Sequence, residues 1–120
     1  MEPRKLVVYQ NDPRAAQALV VSLSQHFESV RLASRYDEVR PAITGTHADV
    51  LILDMEKCQP GEIALLHHEF PSLCIVGTHR LADERLWAQA LNQGAADVCE
   101  PRNEVVVRSV LHECGQHAAA

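Results

Sequence analysis

The side chain of this chain that is best placed to react or to bind a ligand is the carboxylate of Asp54. It closes the run Val50-Leu51-Ile52-Leu53, which is apolar at every position and is therefore typical of a strand buried on both faces of a parallel sheet. Open α/β sheets place ligands and reacting groups at the carboxyl ends of their strands. Asp54 is thus a candidate nucleophile or ligand-binding group.

Five short apolar segments alternate with helical patterns and would position this carboxylate. Strands are predicted at about 5–9, 29–33, 49–53, 73–77 and 96–99. Asp12 followed by Pro13 marks the start of the first helix, and Gly94 marks the end of the fourth. Pro41 interrupts the pattern of the second helix. Five βα units with short connections predict an α/β domain whose parallel sheet carries helices on both faces.

Other polar residues follow the predicted strands and should meet Asp54 at one edge of the sheet. They are Gln10, Asn11, Asp12, Thr78 and Glu100. No glycine-rich loop follows the first strand, which argues against nucleotide or flavin binding. The spacing yields no Ser/His/Asp or Cys/His arrangement either, so we expect a protein that is not an enzyme.

Length and charge narrow the class of protein. The 120 residues make one domain, which we place at 1–117, with 118–120 as a tail or as the edge of a longer protein. A net charge of −5 argues against direct contact with nucleic acid or an anionic membrane. No apolar run approaches the ~20 residues that span a bilayer. No apolar signal region precedes the first strand, so we expect a cytoplasmic location.

The four cysteines, Cys58, Cys74, Cys99 and Cys114, have no paired spacing such as Cys-x-x-Cys. In a cytoplasmic protein this pattern predicts free thiols, with Cys74 and Cys99 as small core residues on strands.

The tail motif His112-x-Cys114-x-x-His117 contains metal-binding residue types. On a helix, however, positions 112 and 114 point about 200° apart, so the three side chains cannot converge unless the helix unwinds. We therefore do not expect a metal site there.

Four segments together resemble the receiver domain of bacterial response regulators, and the resemblance covers essentially the whole chain. They are LVVYQNDP at 6–13, ADVLILDM at 48–55, IVGT at 75–78 and GAAD at 94–97. The resemblance implies a flavodoxin-like, doubly wound fold with five parallel strands in the order 2-1-3-4-5. It also implies that Asp54 is the phosphoacceptor and that Thr78 bonds the phosphoryl group and shifts with it.

The same resemblance implies partners for Asp54 that this chain has lost. The family holds Mg²⁺ partly with two acidic residues at the first turn, and it carries a Lys on the fifth strand. Both offset the charge of the phosphoryl group. Here the acidic pair is replaced by the neutral amides Gln10 and Asn11, and Glu100 stands at the Lys position.

Three carboxylates remain that could hold Mg²⁺ at this edge: Asp12, Asp54 and Glu56. Asp12 occupies the position after the lost acidic pair and directly precedes Pro13. Capping of the first helix is the simpler interpretation of Asp12.

We therefore expect a receiver-like domain of a two-component response regulator with a degenerate site. It would act in signal transduction mainly through protein contacts, with weak or no phosphorylation of Asp54. The implied partners are a sensor kinase or another signalling protein, and a second copy bound through the face of the fourth helix, fifth strand and fifth helix. Trp87 lies on that fourth helix, where a role in the apolar core is the expectation.

Two other functions remain open. One is a working phosphoacceptor receiver in which Asp12 is recruited to a non-standard metal site and another cation replaces the Lys. The other is a flavodoxin-like domain that binds a small molecule at the same end of the sheet.

Overall fold

The structure is a computed structural model that describes residues 5–115. Its strands are β1 (Lys5–Tyr9), β2 (Ser29–Ala33), β3 (Val50–Asp54), β4 (Cys74–Thr78) and β5 (Asp97–Cys99). Its helices are α1 (Pro13–Ser24), α2 (Val39–Thr46), α3 (Glu62–Glu69), α4 (Glu84–Gln93) and α5 (Asn103–Ser109), and a π-helical segment, Val110–Cys114, continues α5. All five predicted strands are confirmed, and the last three begin one residue later than predicted.

The five strands form one parallel sheet in the order β2-β1-β3-β4-β5. This order confirms the predicted flavodoxin-like, doubly wound architecture. At the carboxyl edge, Asp54 of β3 is in register with Thr78 of β4. Asp54 and Thr78 therefore end neighbouring strands at the same height.

Two apolar cores cover the two faces of the sheet, because alternate residues of each strand point to opposite sides. One core packs the sheet against α2, α3 and α4, and its fully buried members include Val7, Leu51, Leu53, Ile75, Val39 and Leu66. The other packs it against α1 and α5, and its fully buried members include Leu6, Val8, Ile52, Val76, Leu19, Leu23 and Val106. Every residue of β3 is buried, as its continuous apolar run predicted.

The helix boundaries follow the predicted signals. Asp12 is the N-cap of α1, and its Oδ1 accepts a hydrogen bond from the backbone N–H of Arg14 at 3.0 Å. Gly94 ends α4 with φ of 114°, a conformation that favours glycine. Pro41 does not break α2, since it lies in the first turn, where backbone N–H groups have no partner within the helix.

The prediction of four free cysteines is wrong for two of them. Cys74, at the start of β4, forms a disulfide with Cys114, at the end of the π-helical segment, and their Cα atoms lie 5.7 Å apart. The two residues are 40 positions apart, so their pairing comes from the packing of α5 on the sheet and not from any local spacing. Cys99 is free and buried, as predicted, and Cys58 is also free.

The prediction of a core role for Trp87 is also wrong, because 45% of this residue is exposed. Its indole Nε1 donates a hydrogen bond to Oδ1 of Asp97 at 3.1 Å. The hydroxyl of Ser109 donates to the other oxygen of Asp97 at 2.6 Å. One carboxylate on β5 thus links α4 to α5.

Two sequence interpretations extend past the described residues. The domain end at 117, the tail 118–120 and His117 of the tail motif all lie outside 5–115. Within the described range, no helix has the length and apolar character needed to span a membrane.

Candidate functional site

A cavity of about 380 Å³ opens at the carboxyl edge of the sheet. It is lined by Gln10, Asn11, Asp12, Ala15, Asp54, Glu56, Lys57, Arg80 and Pro101. The structure thus brings together five of the candidate side chains from the sequence: Gln10, Asn11, Asp12, Asp54 and Glu56. A sixth candidate, Thr78, accepts a hydrogen bond from Gln10. Glu100 is exposed and is not among the lining residues.

The carboxylate of Asp54 is nearly buried and is held by the backbone. Its Oδ2 accepts a hydrogen bond from the N–H of Asn11 at 3.1 Å, and its Oδ1 accepts one from the N–H of Glu56 at 3.1 Å. The second bond caps the short 3-10 turn Met55–Lys57. Burying an ionised carboxylate is costly unless such bonds compensate for lost water. The chain itself therefore satisfies both oxygens of Asp54.

The turn that follows Asp54 packs against a glycine of the neighbouring strand. Met55 lies against Gly77 of β4, and a Cβ atom at Gly77 would overlap its side chain. A larger residue at position 77 would therefore have to displace the Met55 side chain. The next residue, Glu56, lines the cavity.

Gln10 and Thr78 are bonded to each other beside this carboxylate. The Gln10 Nε2 donates to the Thr78 Oγ1 at 3.3 Å, and the Thr78 hydroxyl points to the carbonyl oxygen of Leu53 at 3.5 Å. Both side chains are buried. Gln10 occupies one of the two acidic positions of the resembled family. It hydrogen-bonds the hydroxyl of Thr78, the group that by resemblance would bind the phosphoryl group.

Glu56 is paired with Arg80. The Arg80 Nε donates to Oε1 at 2.9 Å, and the Arg80 backbone N–H donates to Oε2 at 3.1 Å. Partial burial alone would raise the pKa of the Glu56 carboxyl, but the bonds from Arg80 outweigh it and hold the pKa below its ordinary value. Glu56 is therefore ionised at neutral pH with both oxygens engaged.

The carboxylates of this edge do not match the donor set of a magnesium site. Asp12 caps α1, as the simpler interpretation of the sequence proposed, while Glu56 is engaged by Arg80. The remaining oxygens near Asp54 come from the neutral amides of Gln10 and Asn11, which supply no charge. Among residues 5–115, no three His, Cys, Asp or Glu side chains are grouped to hold a metal ion.

Sequence reasoning missed two cations at the cavity, Lys57 and Arg80. A signal for Arg80 was present: it lies two residues after Thr78, as Glu56 lies two residues after Asp54. Asp54 and Thr78 are in register at the strand ends, and the structure pairs the opposite charges that lie two residues further along each segment.

Cys58 lies close to Asp54 without being a reactive thiol. Its Sγ donates to the Asp54 carbonyl oxygen at 3.3 Å. Burial, followed by the charges of Asp54 and Glu62, raises the pKa of the thiol to about 12. The thiolate, which is the nucleophilic form, is therefore scarce at neutral pH.

Comparison with known proteins identifies the fold. No protein-family model matches the chain, and a comparison with curated proteins gave no match. Among solved structures, it is similar to the N-terminal signal receiver domain of a two-component response regulator from Bacteroides fragilis, with a TM-score of 0.82 and 18% identity over 94% of this chain and 98% of that one.

Two further similarities agree. A two-component response regulator from Clostridium difficile gives a TM-score of 0.82 at 17% identity over 98% of this chain and 99% of that one. A response regulator from Burkholderia pseudomallei, solved with a phosphorylated aspartic acid, a calcium ion and citrate, gives 0.78 at 18% identity over 97% of this chain and 71% of that one. The chain therefore has the fold of response regulator receiver domains.

Proposed function

We propose that this chain is an atypical receiver domain of a two-component response regulator, a signalling domain that acts through contacts with other proteins. In this proposal, phosphorylation of Asp54 is weak or absent. The observation that carries it is the setting of the Asp54 carboxylate, which is held by two backbone N–H groups beside the neutral amides of Gln10 and Asn11.

The chemistry of phosphoryl transfer explains why this setting matters. A carboxylate that attacks a phosphoryl donor brings two negative groups together, and metal ions or cations at the developing charge lower the barrier by several kcal/mol. The Burkholderia protein of the same fold was solved with a phosphorylated aspartic acid and a calcium ion. In this chain the neutral amides Gln10 and Asn11 replace the acidic pair, and Glu100 stands where the resembled family has Lys. Slow formation of an acyl phosphate is the expected result.

The proposed partners are a sensor kinase or another signalling protein, and a second copy of the chain. The second copy would use the face of α4, β5 and α5, a proposal that the half-exposed indole of Trp87 supports. The proposal includes a cytoplasmic location. Because that compartment keeps most thiols reduced, the Cys74–Cys114 pair would be largely dithiol there.

One observation favours a second candidate, a working phosphoacceptor with a non-standard site. Lys57 and Arg80 line the cavity beside Asp54 and could supply the positive charge that the lost Lys supplied. In that case the wild-type chain should bind Mg²⁺ tightly, and Asp12→Asn should abolish this binding. Asn keeps a side chain that can cap α1 and removes the negative charge. Mg²⁺ binding that is weak and unchanged in this variant would count against the second candidate.

The test of the proposed function is exposure to acetyl phosphate and Mg²⁺, followed by intact-mass measurement. The wild-type chain should gain no phosphoryl group under conditions that fully phosphorylate an ordinary receiver. The control variant is Asp54→Asn, which keeps an oxygen acceptor for the backbone N–H groups. A stoichiometric mass gain in the wild type that is absent in Asp54→Asn would overturn the proposal.

A further inference from the structure

One carboxylate joins the turn after β3 to the segment after β4. Glu56 takes two bonds from Arg80: one from the guanidinium at 2.9 Å and one from the backbone N–H at 3.1 Å. The side chain of Arg80 is 79% exposed, whereas that of Glu56 is 21% exposed. Water and salt screen the guanidinium half of the pair, so the backbone half is the firmer bond.

Few other hydrogen bonds hold the segment 79–83, in which Ala82 is half-buried and packs against the core beneath α4. The N–H of His79 donates to the carbonyl oxygen of Cys99, and the Nδ1 of His79 accepts from the N–H of Leu81 inside the segment. Asp83 caps the helix that follows. Among the described residues, Glu56 is the one side chain from another element that hydrogen-bonds this segment.

The segment leads directly into α4, which is lightly packed. Of the ten residues of this fully described helix, Ala90 alone is buried. Trp87 is half-exposed on it and reaches Asp97 with its indole N–H. Because α4 has little apolar contact of its own, its position depends strongly on how its first turn is held.

We propose that Glu56 is a positioning residue that works as a built-in anion. It fixes the segment 79–83 through the backbone of Arg80, and it thereby sets the position of α4 and the exposure of Trp87. The surface around Trp87 then keeps one conformation, and no ligand in the cavity is needed to hold it. This inference rests on the proposed function, since it explains how a receiver-like domain presents a contact surface without phosphorylation.

Two readouts test this positioning. The first is hydrogen exchange of the Arg80 amide, which in Glu56→Ala should become on the order of tenfold faster, as expected for loss of a bond to a charged acceptor. The second is the fluorescence of Trp87, the only tryptophan of the chain. Its quenching by acrylamide should increase in Glu56→Ala while the far-ultraviolet circular dichroism is unchanged.

Two variants serve as matched controls. Arg80→Ala removes the exposed guanidinium and keeps the backbone N–H, so the effect on both readouts should be several-fold smaller. Glu104→Ala removes a comparable surface ion pair, the one with Arg102 at the start of α5, and should leave both readouts at the wild-type level.

Wild-type exchange at Arg80 together with wild-type quenching of Trp87 in Glu56→Ala would overturn the inference. If Glu56→Ala does not fold, Glu56→Met decides the matter, because Met keeps most of the side-chain volume and removes the acceptor of the Arg80 N–H. The protection of the Arg80 amide must fall in this variant, and an unchanged protection overturns the inference. These results are separable from the proposed function. Stoichiometric phosphorylation of Asp54 by acetyl phosphate would overturn that function, whereas the exchange of the Arg80 amide in Glu56→Ala would still confirm or contradict the positioning role of Glu56.

Discussion

Two helices on opposite faces of the sheet, α1 and α4, are anchored very differently. On one face, α1 buries Ala16, Leu19 and Leu23, and the continuation of α5 is bonded covalently to β4. On the other face, α4 buries Ala90 alone among its ten described residues and exposes Trp87. The stability of this domain is therefore uneven, and a helix that is held by polar contacts can adjust without disturbing the sheet.

A matched pair of leucine truncations should give the largest contrast. Leu19→Ala empties a fully buried site on α1 and should lower the free energy of unfolding by about 3 kcal/mol. Leu86→Ala on α4 removes a half-buried side chain and should cost only about 1 kcal/mol. Urea denaturation measures both. Equal losses would mean that α4 is anchored as firmly as α1.

Reduction of the disulfide should destabilise the face of the sheet that carries α1 and α5. Opening the Cys74–Cys114 bond frees a loop of 40 residues in the unfolded chain, and the free energy of unfolding should fall by about 2–4 kcal/mol. The measurement is denaturation of the wild type with and without a dithiol reductant.

The control for reduction is Cys58→Ser, which removes a free thiol outside the disulfide. This variant should keep the full difference between the oxidised and reduced states. If reduction leaves the midpoint of the wild type unchanged, the bond does not anchor α5.

The Asp97 carboxylate is the polar link between the two sides. Asp97→Ala leaves the hydroxyl of Ser109 and the indole N–H of Trp87 without this acceptor and should cost about 1–2 kcal/mol. Trp87→Phe removes only the indole bond and should cost less than Asp97→Ala. A larger cost for Trp87→Phe would show that the indole ring, and not the carboxylate, holds the two helices together.

The smallest effect should appear on acidification. The pKa of Glu56 lies below its ordinary value of 4.5 in the folded chain, so its bonds to Arg80 add stability above pH 4.5. That contribution is lost as the pH falls through the lower, folded value. Acrylamide quenching of Trp87 should therefore rise in this acid range in the wild type, and the rise should be absent in Glu56→Gln.

The sequence predicted the fold well because its signals are local. The apolar run that ends at Asp54, the Asp12-Pro13 start of α1 and the Gly94 end of α4 all act within a few residues, and all were confirmed. The Cys74–Cys114 bond and the exposure of Trp87 were missed. Both depend on how α4 and α5 pack on the sheet, which no local pattern reveals.

The sequence predicted where the candidate site lies, but it did not predict the hydrogen bonds and ion pair that connect its side chains. Strand ends gave Gln10, Asp54 and Thr78, which the structure brings together. The pairing of Glu56 with Arg80 needed the register of β3 on β4, which is a property of the assembled sheet. Whether Asp54 accepts a phosphoryl group stays a prediction for the acetyl phosphate experiment.

The disulfide also changes how the domain responds to a pulling force. A pulling force applied on the carboxyl-terminal side of Cys114 reaches this residue before it reaches the rest of α5. With the bond intact, that load passes through two sulfur atoms into the start of β4, inside the sheet, and α5 is shielded. With the bond reduced, we expect the same load to unwind the helix from its carboxyl end. We therefore expect the redox state of a single cysteine pair to determine whether this end of the domain is mechanically stiff or compliant.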